Sequence, residues 1–74
     1  MSLGQAINSL AEERKITKYR ISKNSGIAQT TLGEIANGKN LNPTIDTIEK
    51  IAKGLGVTAS ELMKRAEEME EKHE

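Results

Sequence analysis

The chain has 74 residues, 11 basic and 11 acidic side chains, no cysteine and a single histidine, His73, near its C-terminal end. That length bounds it to one small domain whose core must be built economically from short elements and short loops. The composition excludes disulfides, thiolate zinc sites and His-based metal or general-base chemistry, and no apolar run approaches the roughly 18 residues of a membrane span.

Apolar residues recur three and four apart along most of the chain, the spacing of amphipathic helices, with no strand-like alternation and no internal repeat. Leu3, Ile7, Leu10 and Ala11 mark one face of a first helix over about 2–14, where Ser2 and Gln5 have the spacing of a capping box. Thr17 is the expected N-cap of a second helix that reaches about Asn24 and is broken at Gly26. A third helix covers Gln29 to Ala36 with Leu32 and Ile35 inward, and Asn37-Gly38 ends it. Residues 39–43 form a loop closed by Pro43, the only proline.

Thr44 caps a fourth helix with Ile48, Ile51, Ala52 and Leu55 on its inner face, its end bracketed by Gly54 and Gly56. Thr58 and Glu61 form a capping box, and Val57 with Leu62 a hydrophobic staple, at the start of a fifth helix. That helix carries Leu62, Met63, Ala66 and Met69 before an acidic tail at 70–74. The expectation is an all-α domain of five short helices over residues 1–69. The N-terminus shows no basic stretch followed by an apolar one, so no secretory signal is expected and a cytoplasmic location fits.

Zero net charge argues against a nucleic-acid partner, but the distribution is uneven. Residues 1–43 hold six basic side chains against three acidic ones, and residues 44–74 hold five against eight, a +3 half followed by a −3 half. The positive half contains the most informative segment, Thr17 to Pro43. A short helix, a glycine-containing turn and a second short helix make a helix-turn-helix pattern. Gly26 supplies the turn residue, Ser22 the small residue where the two helices approach, and Ile21, Ile27, Leu32 and Ile35 the anchors to a shared core. The second helix then presents Gln29, Thr30 and Thr31 in its first turn and Glu34 one turn later.

This stretch resembles the phage-repressor (Cro-like, lambda-repressor-like) helix-turn-helix family. The matching residues are Thr17-Lys18-Tyr19-Arg20-Ile21-Ser22, Ser25-Gly26-Ile27-Ala28-Gln29-Thr30-Thr31-Leu32, Ile35-Ala36-Asn37-Gly38-Lys39 and Pro43. The likeness continues from Thr44 to Leu62, through Ile48-Glu49-Lys50-Ile51-Ala52-Lys53-Gly54-Leu55-Gly56-Val57-Thr58. The resemblance implies a compact five-helix lambda-repressor-like domain that binds double-stranded DNA, with the helix from Gln29 lying in the major groove. It assigns base contacts to Gln29, Thr30, Thr31 and Glu34. Gln29 suits adenine N6/N7, the threonines a thymine methyl or a phosphate, and Glu34 a cytosine N4. It assigns contacts to the DNA backbone to Lys18, Asn37, Lys39 and Asn40, which set register without reading sequence. Arg20, Lys23 and the sole aromatic, Tyr19, are read as covering the outer surface of their helix.

Several positions depart from the family pattern. Ala28 stands where a Ser or Thr commonly caps the recognition helix, and Gly33 lies within that helix. Ala11 and Ala36 replace a frequent Arg–Glu ion pair, and Ser25 is polar where an apolar anchor is usual. The reading that follows is a transcriptional regulator, a repressor acting as a homodimer on a palindromic operator, with no cofactor and no enzymatic activity. Leu62, Met63, Ala66 and Met69 are the expected dimer interface, since their stripe is longer than one small core requires. The alternative is an antitoxin-like or adaptor protein that binds a protein partner through the acidic, amphipathic C-terminal helix.

Overall fold

The computed structural model describes residues 3–40 and 42–71, with backbone alone for Glu70 and Glu71. Five helices follow one another: α1 Leu3–Glu13, α2 Lys18–Ser25, α3 Gln29–Ala36, α4 Ile45–Leu55 and α5 Ala59–Glu71, with no strand among the described residues. α1 packs on α5 and α3, α2 on α4 and α3, and α4 on α5. Each helix sends at least one large side chain to complete burial: Ile7, Ile21, Leu32 with Ile35, Ile51 with Leu55, and Leu62. The core is therefore shared by all five elements, which is how helices of 8 to 13 residues, too short to persist alone, become stable.

The caps follow the sequence signals closely. The Thr17 hydroxyl accepts from the Arg20 N–H at 3.1 Å, and the Thr44 hydroxyl accepts from the Thr47 N–H at 3.2 Å. At the start of α5 the Glu61 N–H donates to the Thr58 hydroxyl at 3.0 Å, while the Thr58 N–H donates to the Glu61 carboxylate at 3.1 Å, completing the capping box. Gly26, Gly38 and Gly56 all adopt positive φ. α1 ends differently. Lys15 takes the left-handed conformation at φ 57°, and the Ile16 N–H donates back to the Ala11 carbonyl at 2.8 Å, a helix stop made without glycine. The proposed Ser2–Gln5 capping box involves Ser2, which lies outside the described residues.

Gly54 and Gly56 bracket the end of α4 at Leu55 as expected, and Gly54 is also buried, where a Cβ would come within 2.8 Å of the Ile21 carbonyl oxygen and 3.1 Å of the Ser25 Cβ. It is the residue that lets α4 cross close against α2. The fifth helix, expected to dissolve at 70, continues through Glu71. Gly4 has a role the sequence did not announce. Its Cβ would meet the Ile35 and Ala36 carbonyl oxygens at 2.7 Å, so the first turn of α1 lies against the last turn of α3. The Asn8 side-chain amide closes the same contact by donating to the Ala36 carbonyl at 3.1 Å. At the other end of α1, Arg65 of α5 donates to the Ser9 hydroxyl at 3.0 Å and pairs with Glu13 at 3.3 Å. Ala11 and Ala36, in place of a charged pair, are both buried in the core. A buried apolar pair can replace an ion pair without loss because no charge must leave water.

Candidate nucleic-acid interface

The turn between α2 and α3 determines where the outward face of α3 points. Gly26 sits at φ 79° and its N–H donates to the Ser22 carbonyl at 2.9 Å, ending α2. The Ser22 hydroxyl then donates to the Ile27 carbonyl, and the Ser25 hydroxyl accepts from the Ile27 N–H at 3.2 Å while donating to the Ser22 carbonyl at 3.3 Å. Ser25 is thus not a weakened anchor. Its hydroxyl braces the turn, and its small size suits the neighbouring Gly54. Ile21, Leu32 and Ile35 are buried beneath the turn and Ile27 packs at the core's edge, holding α3 as a rigid projection of the core.

Leu32, Ile35 and Ala36 face inward, Thr30 and Glu34 stand on the opposite side, and Gln29 and Thr31 flank them in the first turn, all four exposed. The four expected base-contacting side chains are therefore all accessible. They belong to groups that suit a base edge: an amide with donor and acceptor, two hydroxyls and a carboxylate. Ala28 occupies the N-cap position and makes no side-chain cap bond, as its chemistry requires.

Of the four expected backbone-contact residues, one precedes α3 on α2 and three follow α3. Lys18, exposed, opens α2. Asn37, Lys39 and Asn40 follow α3, Asn37 and Lys39 exposed and Asn40 half-buried. The asparagines also shape the loop they stand on. The Asn37 side-chain oxygen accepts from the Lys39 N–H at 3.0 Å, and the Asn40 side-chain oxygen accepts from the Asn42 N–H at 3.1 Å. That bracing role is a standard habit of asparagine in turns, so the residue type was its only signal in the sequence. Tyr19 is 54% exposed, and the Lys23 ammonium lies 5.6 Å from its ring centroid, so it lies on the surface of α2.

The α5 stripe does not form one open seam. Leu62 and Ala66 are completely buried in the chain's own core, and Met63 and Met69 are partly buried against it. Of the four expected interface residues, two are already covered by α1 and its neighbours, because α5 closes the bundle. Among the described residues, no helix is long and apolar enough to cross a membrane.

Comparison with known proteins agrees with this geometry. Residues 6–68 match the model of the Cro/C1-type HTH DNA-binding domain. The chain is 37% identical over 73 residues to the HTH-type transcriptional repressor RghR of Bacillus subtilis (strain 168), covering 99% of this chain and 54% of that protein. It is 29% identical over 63 residues to the immunity repressor protein of Bacillus phage phi105, covering 85% of this chain and 43% of that one. It is 38% identical over 63 residues to the uncharacterized HTH-type transcriptional regulator RghRB of Bacillus subtilis (strain 168), again 85% of this chain and 45% of the relative. The chain thus spans about half the length of the curated relatives it matches. A helix-turn-helix braced at Gly26, an exposed polar face on α3 and a family match across almost every helix lead to one statement: the chain belongs to the Cro/C1-type helix-turn-helix DNA-binding domain family.

Proposed function

We propose that this chain is the DNA-reading unit of a transcriptional repressor that binds a palindromic operator as a dimer. The observation that carries the reading is the outward face of α3, where Gln29, Thr30, Thr31 and Glu34 stand exposed together on a helix held from behind by Leu32, Ile35 and Ala36. In this reading Gln29 takes the adenine-type contact, the threonines a thymine methyl or phosphate, and Glu34 a cytosine amino group. Lys18, Asn37, Lys39 and Asn40 hold the phosphates on either side and set the register. Repressor names on two relatives support the regulatory sense. One small domain reads only a few base pairs, so useful specificity requires two copies on half-sites about one helical turn, roughly 34–36 Å, apart. A dimer placed over a promoter represses by excluding polymerase.

The test is selection of bound sites from a pool of random-sequence duplexes at moderate salt. Enrichment of a palindrome with half-sites about ten base pairs apart supports a dimeric sequence reader. Folded protein that enriches nothing, or a single unrepeated half-site, overturns the operator reading in whole or in its dimeric part.

A further inference from the structure

Three glycines lie inside helices: Gly4 in α1, Gly33 in α3 and Gly54 in α4. Two of them have a reason within the chain. A Cβ on Gly4 or Gly54 would meet a backbone carbonyl oxygen of another helix at 2.7 or 2.8 Å. Gly33 has no such reason, since a Cβ there would meet nothing within 4 Å. Its backbone does not require glycine either, because the positive φ angles of the described glycines fall at Gly26, Gly38 and Gly56.

The helix that carries Gly33 is also the one least able to spare the stability. α3 has eight residues, no side-chain cap at Ala28, no acidic residue in its first turn and no basic residue in its last. Glycine is, after proline, the residue least favourable to a helix interior. Its cost in α3 has no return inside the chain, so the return lies in what α3 touches.

The position of Gly33 says which part of the DNA that is. Thr30 and Glu34 stand opposite the buried Leu32, Ile35 and Ala36. Gly33 follows Gln29 by four residues and precedes Asn37 by four, so these three form one row along a flank of α3. A helix with its side chains is about 10–12 Å across and the major groove about 12 Å wide, so a helix seated there has its flanks against the two strands. We propose that Gly33 is a positioning residue that sets how deeply α3 seats, by letting the sugar–phosphate strand on the Gln29–Asn37 flank come against the helix backbone. The proposal rests on the reading of α3 as the helix in the major groove. A side chain at 33 lifts this flank and draws Gln29 and Asn37 away from the DNA together. Every nucleotide carries the same sugar and phosphate, so the effect is on affinity for all sequences and not on the choice among them.

The experiment compares the full chain with Gly33→Ala and Gly33→Val. Both residues suit a helix interior better than glycine, so thermal midpoints at or above that of the wild type are expected, and a loss of binding then has no source in unfolding. The branched Cβ of valine has one preferred rotamer in a helix and cannot turn aside. Each protein is titrated by fluorescence anisotropy onto the duplex that the wild type enriches, onto versions of it changed at one base pair at a time, and onto random-sequence duplex. Gly33→Ala should bind the enriched duplex about fivefold more weakly and Gly33→Val about fiftyfold, the range for forcing extra methyl groups into a closed contact. The same factors are expected on every single-pair version. Binding by both variants as tight as that of the wild type overturns the proposal, because the DNA then comes nowhere near Gly33. A loss that disappears when one base pair is changed also overturns it, because the flank then faces a base edge and not a strand. If the wild type enriches no duplex, the operator reading fails by itself. Weaker binding of Gly33→Val to random duplex then still supports the strand contact, and unchanged binding there overturns it.

Discussion

At the residue scale, the proposed reading separates side chains on α3 that read sequence from those flanking it that hold the duplex. Gln29 is exposed at the first position of the helix, where one amide can form a bidentate contact with a base. Gln29→Ala should cost about 1–3 kcal/mol on the enriched operator and relax discrimination at one base pair, with little change on random duplex. Equal losses on both DNAs in a fluorescence-anisotropy titration would remove Gln29 from base reading. Lys39 is exposed in the loop after α3, where a lysine can act as a point charge on a phosphate. Lys39→Ala should weaken binding to all sequences and lower the slope of log K against log salt by about 1. An unchanged slope means that Lys39 contacts no phosphate.

At the element scale, the glycines show how differently one residue type can act. Gly54 sits inside α4 with the Ile21 carbonyl 2.8 Å from where its Cβ would be, so Gly54→Ala must push α2 and α4 apart. Such overpacking typically costs about 1–3 kcal/mol, and the loss should show in chemical denaturation as a lower midpoint with an unchanged m value. Gly33 also lies inside a helix, yet a Cβ there meets nothing within 4 Å in the chain. Gly33→Ala should therefore stabilise the domain by up to about 1 kcal/mol, since alanine favours a helix interior where glycine does not. The same melt decides it, and a lower midpoint for Gly33→Ala would mean that α3 needs glycine for a reason its own packing does not supply. α3 is the element in which such a gain matters most, because Ala28 leaves its N-terminus without a side-chain cap.

At the scale of the whole molecule, stability and site cannot be separated. The side chains proposed to face DNA stand on α3, α3 stands on Leu32 and Ile35, and these belong to a core that also holds Leu62 and Ala66 of α5. Leu62→Ala, far from α3 in sequence, should cost about 2–5 kcal/mol, a large part of the marginal stability a domain of 74 residues can have. Circular dichroism should show a much lower melting temperature, and DNA binding should fail in step with unfolding rather than before it. The Arg65 link from α5 to Ser9 and Glu13 of α1 adds a polar clasp to the same closure.

Most of the fold was legible in the chain itself because its signals are local. Thr17, Thr44 and Thr58 with Glu61 start helices by bonding within three residues of themselves, Gly26 and Gly56 end them by conformations other residues avoid, and the three-and-four spacing of Ile, Leu and Ala marks the inner faces. The polar face of α3 was legible in part for the same reason, since the exposure of Thr30 and Glu34 follows from the burial of Leu32 and Ile35 on the other side, whereas Gln29 and Thr31 are exposed because they lie in the first turn at the flanks of that stripe. What only the tertiary structure decided depends on which helix lies against which. Periodicity identifies an apolar stripe on α5 but not its partner, and it is α1 packing on α5 that buries Leu62 and Ala66 and closes the seam expected there. Gly4 and Gly54 look like weak helix positions until the carbonyls of Ile35, Ala36 and Ile21 arrive beside them. An open groove lined by Leu3, Ala36, Ile48 and Met63 likewise draws its walls from all but one of the five helices, and a sequence pattern, being confined to one helix at a time, carries no trace of such a surface.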